Sequence, residues 1–321
     1  MSKPIASLSL DLDNKWSYLK THGDAGWQSF PSYLDIVVPR VLRFLQERNQ
    51  RITFFIVGQD AALPENRAVL RAIAEAGHEV GSHSFKHEPW LHLYSEKEIE
   101  TELATAEESI AAATGVRPRG FRGPGFSCSA ATLTVLARRG YQYDASTFPT
   151  FLGPLARFYY FLTARFSSAE KDQRRQLFGK LSDGLRPLRP YRWQTPAGSL
   201  IEIPVTTMPG PKLPMHASYL LYLAAFSPWA ARAYLRTAVQ LCRLTRTAPS
   251  FLLHPTDFLD TADAPELAFF PAMKVPHEKK LALLGRFLDA LADHFQLLPM
   301  QEHAARAAGD PRLPTRMPSF N

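Results

Sequence analysis

Short apolar strands alternating with amphipathic helices predict an α/β protein, a distorted barrel of seven or eight β/α units. Two further observations favour that architecture. The chain is 321 residues long, a common size for a single α/β barrel. In addition, its most chemically distinctive residues sit at the C-terminal ends of strands, where barrels carry their sites.

Residues 6–12 form the first strand, with Leu8, Leu10 and Leu12 on one face. Helix 31–48 follows, its Leu34, Val37, Val38, Val41, Leu42 and Leu45 at helical spacing. Strand 52–57 is apolar after Thr53, as a sheet covered on both faces requires. Helix 64–76 stops at Gly77, and strand 78–83 comes next. Ser95 with Glu98 three residues on reads as a capping box opening another helix. Strand 120–122, helix 129–139 before Gly140, and strand 142–145 continue the rhythm. Residues 148–193, rich in aromatics, Arg and Pro, interrupt it as an insertion with helical and basic character. Strand 200–205, helix 217–246, strand 250–254, helix 277–294 and strand 296–299 resume it. The organisation expected is one domain over 1–310 with a flexible tail at 311–321.

A 45% apolar composition supports a large core and excludes a disordered chain. Cys128 and Cys242 have no metal-type spacing and are expected as two buried thiols. The N-terminus reaches Asp11 before a signal-length apolar stretch develops, so a cytoplasmic protein is expected. The net charge of +7, with Arg165, Lys171, Arg174, Arg175, Lys180, Arg186, Arg189 and Arg192 close together, suits phosphates or an anionic membrane face. No helix-turn-helix, zinc-finger or RNA-binding signature is present, and nucleic acid is not expected as a partner.

Asp11 and Asp13 alternate with Leu10 and Leu12, so both carboxylates project to the same side of the strand. Two bare carboxylates there repel, and one takes up a proton unless a cation neutralises them. His83-Ser-Phe-Lys-His87 supplies two imidazoles four residues apart after a neighbouring strand. Two His, one carboxylate and an open position make a common catalytic zinc set. Asp13, His83 and His87 are therefore the candidate metal ligands, with Asp11 beside them as a base. His254 ends the apolar run Phe251-Leu-Leu and is the candidate acid. Arg122, in Gly120-Phe-Arg-Gly-Pro-Gly-Phe126, is placed to fix Asp11 by a forked hydrogen bond.

These segments, in this order, resemble the polysaccharide deacetylases of carbohydrate esterase family 4. Ser9-Leu-Asp-Leu-Asp13 resembles the family's first motif, with a spacer between base and ligand. His83–His87 matches the HxxxH motif, Arg122-Gly-Pro-Gly125 the third, and Leu252-Leu-His254 the fifth. The resemblance implies a barrel of that type and a divalent metal, zinc first, with cobalt, nickel, manganese or iron as alternatives. It implies the Gly125 backbone N–H as an oxyanion donor, and Asp144 as a carboxylate orienting the His254 ring. Three departures stand out: Gly125 replaces a bulky residue, the fourth-motif Trp is missing after Asp144, and the insertion has no counterpart in minimal members.

The implied reaction is hydrolysis of an N-acyl group, acetyl or formyl, from an amino sugar. Ile201-Glu-Ile-Pro-Val-Thr-Thr-Met-Pro209 is similar to a segment of bacterial deformylases that act on lipid-linked aminoarabinose. With no export signal evident, a cell-envelope glycan precursor, soluble or lipid-linked, is the expected substrate. The aromatic run 151–166 beside the basic cluster is expected at the inner face of the membrane. The rival readings are an amidase of a non-sugar C–N bond and a non-catalytic basic protein binding glycan or membrane.

Overall fold

The computed structural model describes residues 3–153, 181–270 and 272–320. Most of the expected insertion, and nearly all of the aromatic run 151–166, lies outside them. Strand β1 (Ile5–Leu12) is the hub of a ten-stranded, mostly parallel sheet. It pairs with β2 (Thr53–Ile56) along its C-terminal half and with β8 (Ser250–Leu253) on its other edge. Strand β9 (Gln296–Leu298) takes the N-terminal stretch of β1 below β2. From β2 the order continues through β3 (Glu79–Ser82), β4 (Gly120–Phe121), β5 (Tyr143–Asp144) and β7 (Gly198–Glu202).

Strand pairing leaves a gap between β7 and β8. It is spanned just past β7, where the Thr206 N–H donates to Ser250 O at 3.1 Å and the Thr206 hydroxyl accepts from the Ser250 N–H at 2.7 Å. Seven strands thus circle an interior, in keeping with the expected distorted barrel.

β1 shows why its sequence alternates. Ala6, Leu8, Leu10 and Leu12 are buried in a core shared with Leu34, Val37, Val38, Val41 and Leu45 of helix α2 (Leu34–Gln46). Ser7, Ser9 and Asp11 are also buried, but on the opposite face. There Ser7 Oγ meets His303 Nδ1 at 2.9 Å, and Ser9 and Asp11 meet Arg122. A second apolar cluster of Phe55, Tyr143, Ile201 and Met300 fills the interior beneath them.

Several elements depart from expectation. Helix α1 (Lys15–His22) directly follows β1; it lacks an apolar stripe and so gives no periodic signal. Helices α3 (Gly58–Ala62) and α4 (Arg67–Glu75) follow β2, and α5 (Glu96–Thr114) opens on the expected Ser95/Glu98 capping box. Helix α6 (Ala130–Arg138) follows β4. The single helix expected over 217–246 is two, α7 (Ala217–Phe226) and α8 (Pro228–Leu244). Pro228 cannot donate to the preceding turn, and Ser227 caps the new helix through the Ala230 N–H.

Residues 191–195, which begin inside the expected insertion and run past its end, form β6, an antiparallel partner of β7. Helices α9 (His277–Ala292) and α10 (Met300–Ala308) complete the set. Residues 311–321, expected as a tail, contribute β10 (Thr315–Arg316), paired with β6, and Phe320, packed near Trp193. Cys128 and Cys242 are both free thiols, Cys242 buried and Cys128 half-buried.

Candidate active site

The ends of β1 and β3 bring Asp13, His83 and His87 together. Asp13 Oδ1 lies 3.0 Å from His87 Nε2 and 3.3 Å from His83 Nε2, and all three residues are buried. Their ligand-type atoms lie within 4.8 Å of one another. Burial alone would raise the Asp13 pKa, but His87 and His83 beside it hold its carboxyl well below the ordinary carboxylate value. Burial disfavours charge on His83, yet Asp11 and Asp13 outweigh it and raise that ring.

Local geometry fixes each group. His83 Nδ1 sits 2.6 Å from Arg122 O, leaving Nε2 to face Asp13. Ser84 (φ 62°) and His87 (φ 52°) both adopt left-handed backbone, which costs a β-carbon-bearing residue about 1 kcal/mol or more and folds the loop so that both rings converge. Glu102 on α5 holds that loop by accepting the N–H groups of Phe85 at 3.0 Å and Lys86 at 2.5 Å. Next to Asp13, Asn14 caps α1 and reaches Asp60 at 2.7 Å, while the Tyr33 hydroxyl donates to Asp13 O at 2.5 Å. Trp16 donates to the same Asp60 oxygen and presents its ring edge to His87.

Asp11 has a different cation. Arg122, fully buried at the end of β4, donates from Nη1 to Asp11 Oδ1 at 2.6 Å and to Ser9 Oγ at 2.9 Å. Its Nε donates to Ala145 O at 3.0 Å, and its guanidinium stands over Phe55. The expected fork onto Asp11 is therefore a single bond, because the remaining donors are spent on Ser9, Ala145 and the sulfur of Met300. The two carboxylates of β1 do not repel each other unaided. Each has its own positive or hydrogen-bonding partner.

Beyond Arg122, Gly123 donates its N–H to Ser146 Oγ at 2.8 Å, and a Cβ there would lie 2.0 Å from Ser127 O. Gly125 is exposed at φ 59° in the turn Pro124–Phe126. From that turn a file of rings, Phe126, Phe148, His216 and His254, runs with centroids 4.7, 6.1 and 6.0 Å apart.

His254 follows β8. The register pairs Leu10 with Leu253, so Asp11 and His254 leave adjacent strands at the same level. His254 Nδ1 lies 3.1 Å from Ser218 Oγ on α7. Asp144, expected to orient this ring, does not. It accepts from Ser146 Oγ at 2.6 Å and Cys128 Sγ at 3.7 Å and lies opposite Glu202 in the β5/β7 register. Burial raises the pKa of Asp144, and of Glu202 still further, so the pair favours holding a proton between its carboxyls.

Sequence reasoning missed Ser218, His216 and Asp257. His216 is the N-cap of α7, accepting the Tyr219 N–H, and burial, then His254, push its pKa down to about 3. Asp257 accepts the His254 N–H at 2.8 Å. The sequence signal for Asp257 was His254-Pro255 itself, because Pro opens a short turn whose third residue can bond back to its start.

With this geometry in place, the comparisons are specific. Residues 24–143 match the polysaccharide deacetylase family model. The match spans the segment that carries His83, His87 and Arg122. A peptidoglycan deacetylase of Helicobacter pylori is 30% identical over 112 residues, 35% of this chain and 37% of that protein. A peptidoglycan-N-acetylglucosamine deacetylase of Listeria monocytogenes is 33% identical over 88 residues, 27% of this chain and 18% of that one. The chain thus spans under two fifths of the length of these relatives. Among solved structures, one from Mycobacterium smegmatis assigned to the polysaccharide deacetylases aligns over 98% of this chain and 93% of its own, with a TM-score of 0.60 at 22% identity. The Puue allantoinase aligns over 96% and 92%, with a TM-score of 0.58 at 18% identity. Both likenesses concern the fold.

Proposed function

We propose that this protein is a metal-dependent hydrolase that removes an N-acyl group from an amino sugar. The observation that carries the reading is the buried convergence of Asp13, His83 and His87 at the strand ends of a polysaccharide deacetylase-family fold. The donor set fits a divalent cation: one carboxylate held ionised and two imidazoles whose Nε2 atoms point at it. Zinc suits this mixture first, and cobalt, nickel, manganese or iron accept the same donors. When bound, such an ion polarises the acyl carbonyl and lowers the pKa of water.

The chain's own groups do the rest. Asp11, kept in place by Arg122, takes the proton from the attacking water. Gly125 is an exposed residue, and its N–H is the donor for the oxygen of the tetrahedral intermediate. His254 gives a proton to the departing amine nitrogen, which leaves poorly as an anion.

The finer substrate reading is a cell-envelope glycan precursor, lipid-linked or nucleotide-linked, met in the cytoplasm at the inner membrane face. Its support is the basic cluster in 165–192, largely outside the described residues, and the segment Ile201–Pro209. Among the described residues no helix is long and apolar enough to cross a membrane.

Incubation with lipid-linked and nucleotide-linked N-acyl sugars, followed by mass loss and the acid released, tests the reaction. Asp11→Asn is expected to lower turnover about 10²–10⁴-fold while the metal stays bound. Full activity in that variant overturns the role of Asp11. Hydrolysis of non-sugar amides alone would move the assignment to the amidase reading, and purification without a divalent ion would favour a non-catalytic protein.

A further inference from the structure

Helices α7 and α8 meet at a corner that leaves large aromatic side chains outside the core. Phe226 is 74% exposed and Trp229 77%, and Tyr222 is 43% exposed with its ring centroid 5.1 Å from that of Phe226. Such side chains gain much from leaving water, and a group of them exposed together marks a contact surface.

Helix α8 has two unlike sides. Its Ala231, Leu235, Ala238, Val239 and Cys242 are buried. Trp229, Arg232, Arg236 and Arg243 fall at i, i+3, i+7 and i+14, one stripe along the exposed side. Leu244 and Arg246, both exposed, follow where the helix ends.

The charge on this face is mostly positive. The chain carries 30 acidic residues, yet none falls between Glu202 and Asp257, a stretch that holds Lys212, Arg232, Arg236, Arg243 and Arg246. From α9 and its end, Arg286, Asp289 and Asp293 line the groove beside Arg232 and Arg236, so arginines outnumber acids there as well.

We propose that the α7–α8 corner and the exposed side of α8 are the surface by which this protein lies on an anionic lipid bilayer. Phe226 and Trp229 enter the boundary between headgroups and acyl chains, where aromatic rings shed water without a full crossing. The arginines of the stripe meet the lipid phosphates around them. A second copy of the chain docked symmetrically on the same corner would instead set these arginines against one another.

Helix α7 ties the corner to the candidate site. Ser218, whose Oγ lies 3.1 Å from His254 Nδ1, precedes Tyr222 by four residues and Phe226 by eight. Eight residues of helix advance about 12 Å along the axis. A lipid-linked sugar can then reach His254 with its tail still in the bilayer. This use of the contact rests on the hydrolytic reading above, whereas the contact itself does not.

The test is flotation of the full-length protein with vesicles of phosphatidylcholine alone, or of phosphatidylcholine and phosphatidylglycerol in equal parts. The unaltered protein is expected to float with the mixed vesicles only, and to bind them more weakly at about 1 M salt, where charges are screened beyond about 3 Å. Phe226→Ala with Trp229→Ala should weaken binding about tenfold or more. Arg232→Gln with Arg236→Gln should weaken it about 25-fold, roughly fivefold for each charge. All four side chains are exposed, so both variants should unfold at the wild-type temperature. No flotation of the unaltered protein, or flotation unchanged in both double variants, overturns the proposal. So does binding lost in the arginine variant but kept in the aromatic one, which assigns the face to a soluble polyanion. Self-association without vesicles that the aromatic variant abolishes overturns it too, in favour of a second copy. If mixed vesicles are bound as stated but no acyl group is released from any N-acyl amino sugar, soluble or vesicle-borne, the contact stands and the hydrolytic reading falls.

Discussion

The two halves of the site are built to different standards. On the β1/β3/β4 side, Asp11, Asp13, His83, His87 and Arg122 are all at or below 9% exposure, and each is locked to another by a charged or short hydrogen bond. On the β8 side, His254 is half-buried and held through the hydroxyl of Ser218. A group that must hold a cation in place gains from rigid, charge-matched burial, because an unpaired buried charge is costly. A group that must give up a proton and meet substrate needs access and a pKa near the working range. On the proposed function the contrast is one of task, and each half should fail differently when disturbed.

The largest expected effect is on the rigid side. His83→Ala should lose both the divalent ion and turnover, measured by metal content and acyl release; unchanged metal content would remove His83 from the ligand set. Arg122→Leu leaves Asp11 buried without its partner and is expected to cost about 3–5 kcal/mol in denaturant unfolding. A loss under about 1 kcal/mol would show that the pair is not structural.

A smaller effect concerns pH. Burial, then a nearby positive group, lowers His216 to about 3 and His303 to about 4, so folded rings stay neutral while unfolded ones bind protons below about 6.5. Stability is therefore full above that value and lost as pH falls toward the folded pKa, by up to about 2 kcal/mol per ring at pH 5. Thermal unfolding at pH 7 and pH 5, repeated for His303→Gln, measures the share of one ring. An identical pH dependence in that variant would refute it.

The smallest effect is at Gly125. A Cβ there sits 3.2 Å from Pro89 Cβ on a backbone at φ 59°, so Gly125→Ala should cost about 1 kcal/mol. A larger fall in turnover than in stability would place its N–H at the reacting oxygen.

The β1/β3/β4 half was legible in the sequence and the β8 half only partly so. Asp11, Asp13, His83, His87 and Arg122 each sit at the end of an apolar strand, so local pattern and the alternation of elements already place them on one rim. Ser218 carries no such mark. It reaches His254 only because α7 starts at His216 and lies across β8, a long-range placement with no local signal. The error at Asp144 has the same origin, since motif order said it should face His254, whereas the β5/β7 register turns it toward Glu202. Helix α1 was invisible for want of an apolar stripe, while the break at Ser227-Pro228 was written in a cap and a proline that the longer periodicity obscured.

Thr206 has a mechanical consequence. Its amide and hydroxyl span the gap between β7 and β8, so one residue does there what a ladder does elsewhere in the ring. Such a joint behaves as a latch: the barrel can part there at the cost of two bonds, whereas parting it beside β1 breaks a whole strand pairing. The strand on the far side of the latch is the one that ends in His254. Strain admitted at this joint would bear on His254 before it reaches Asp13, His83 and His87.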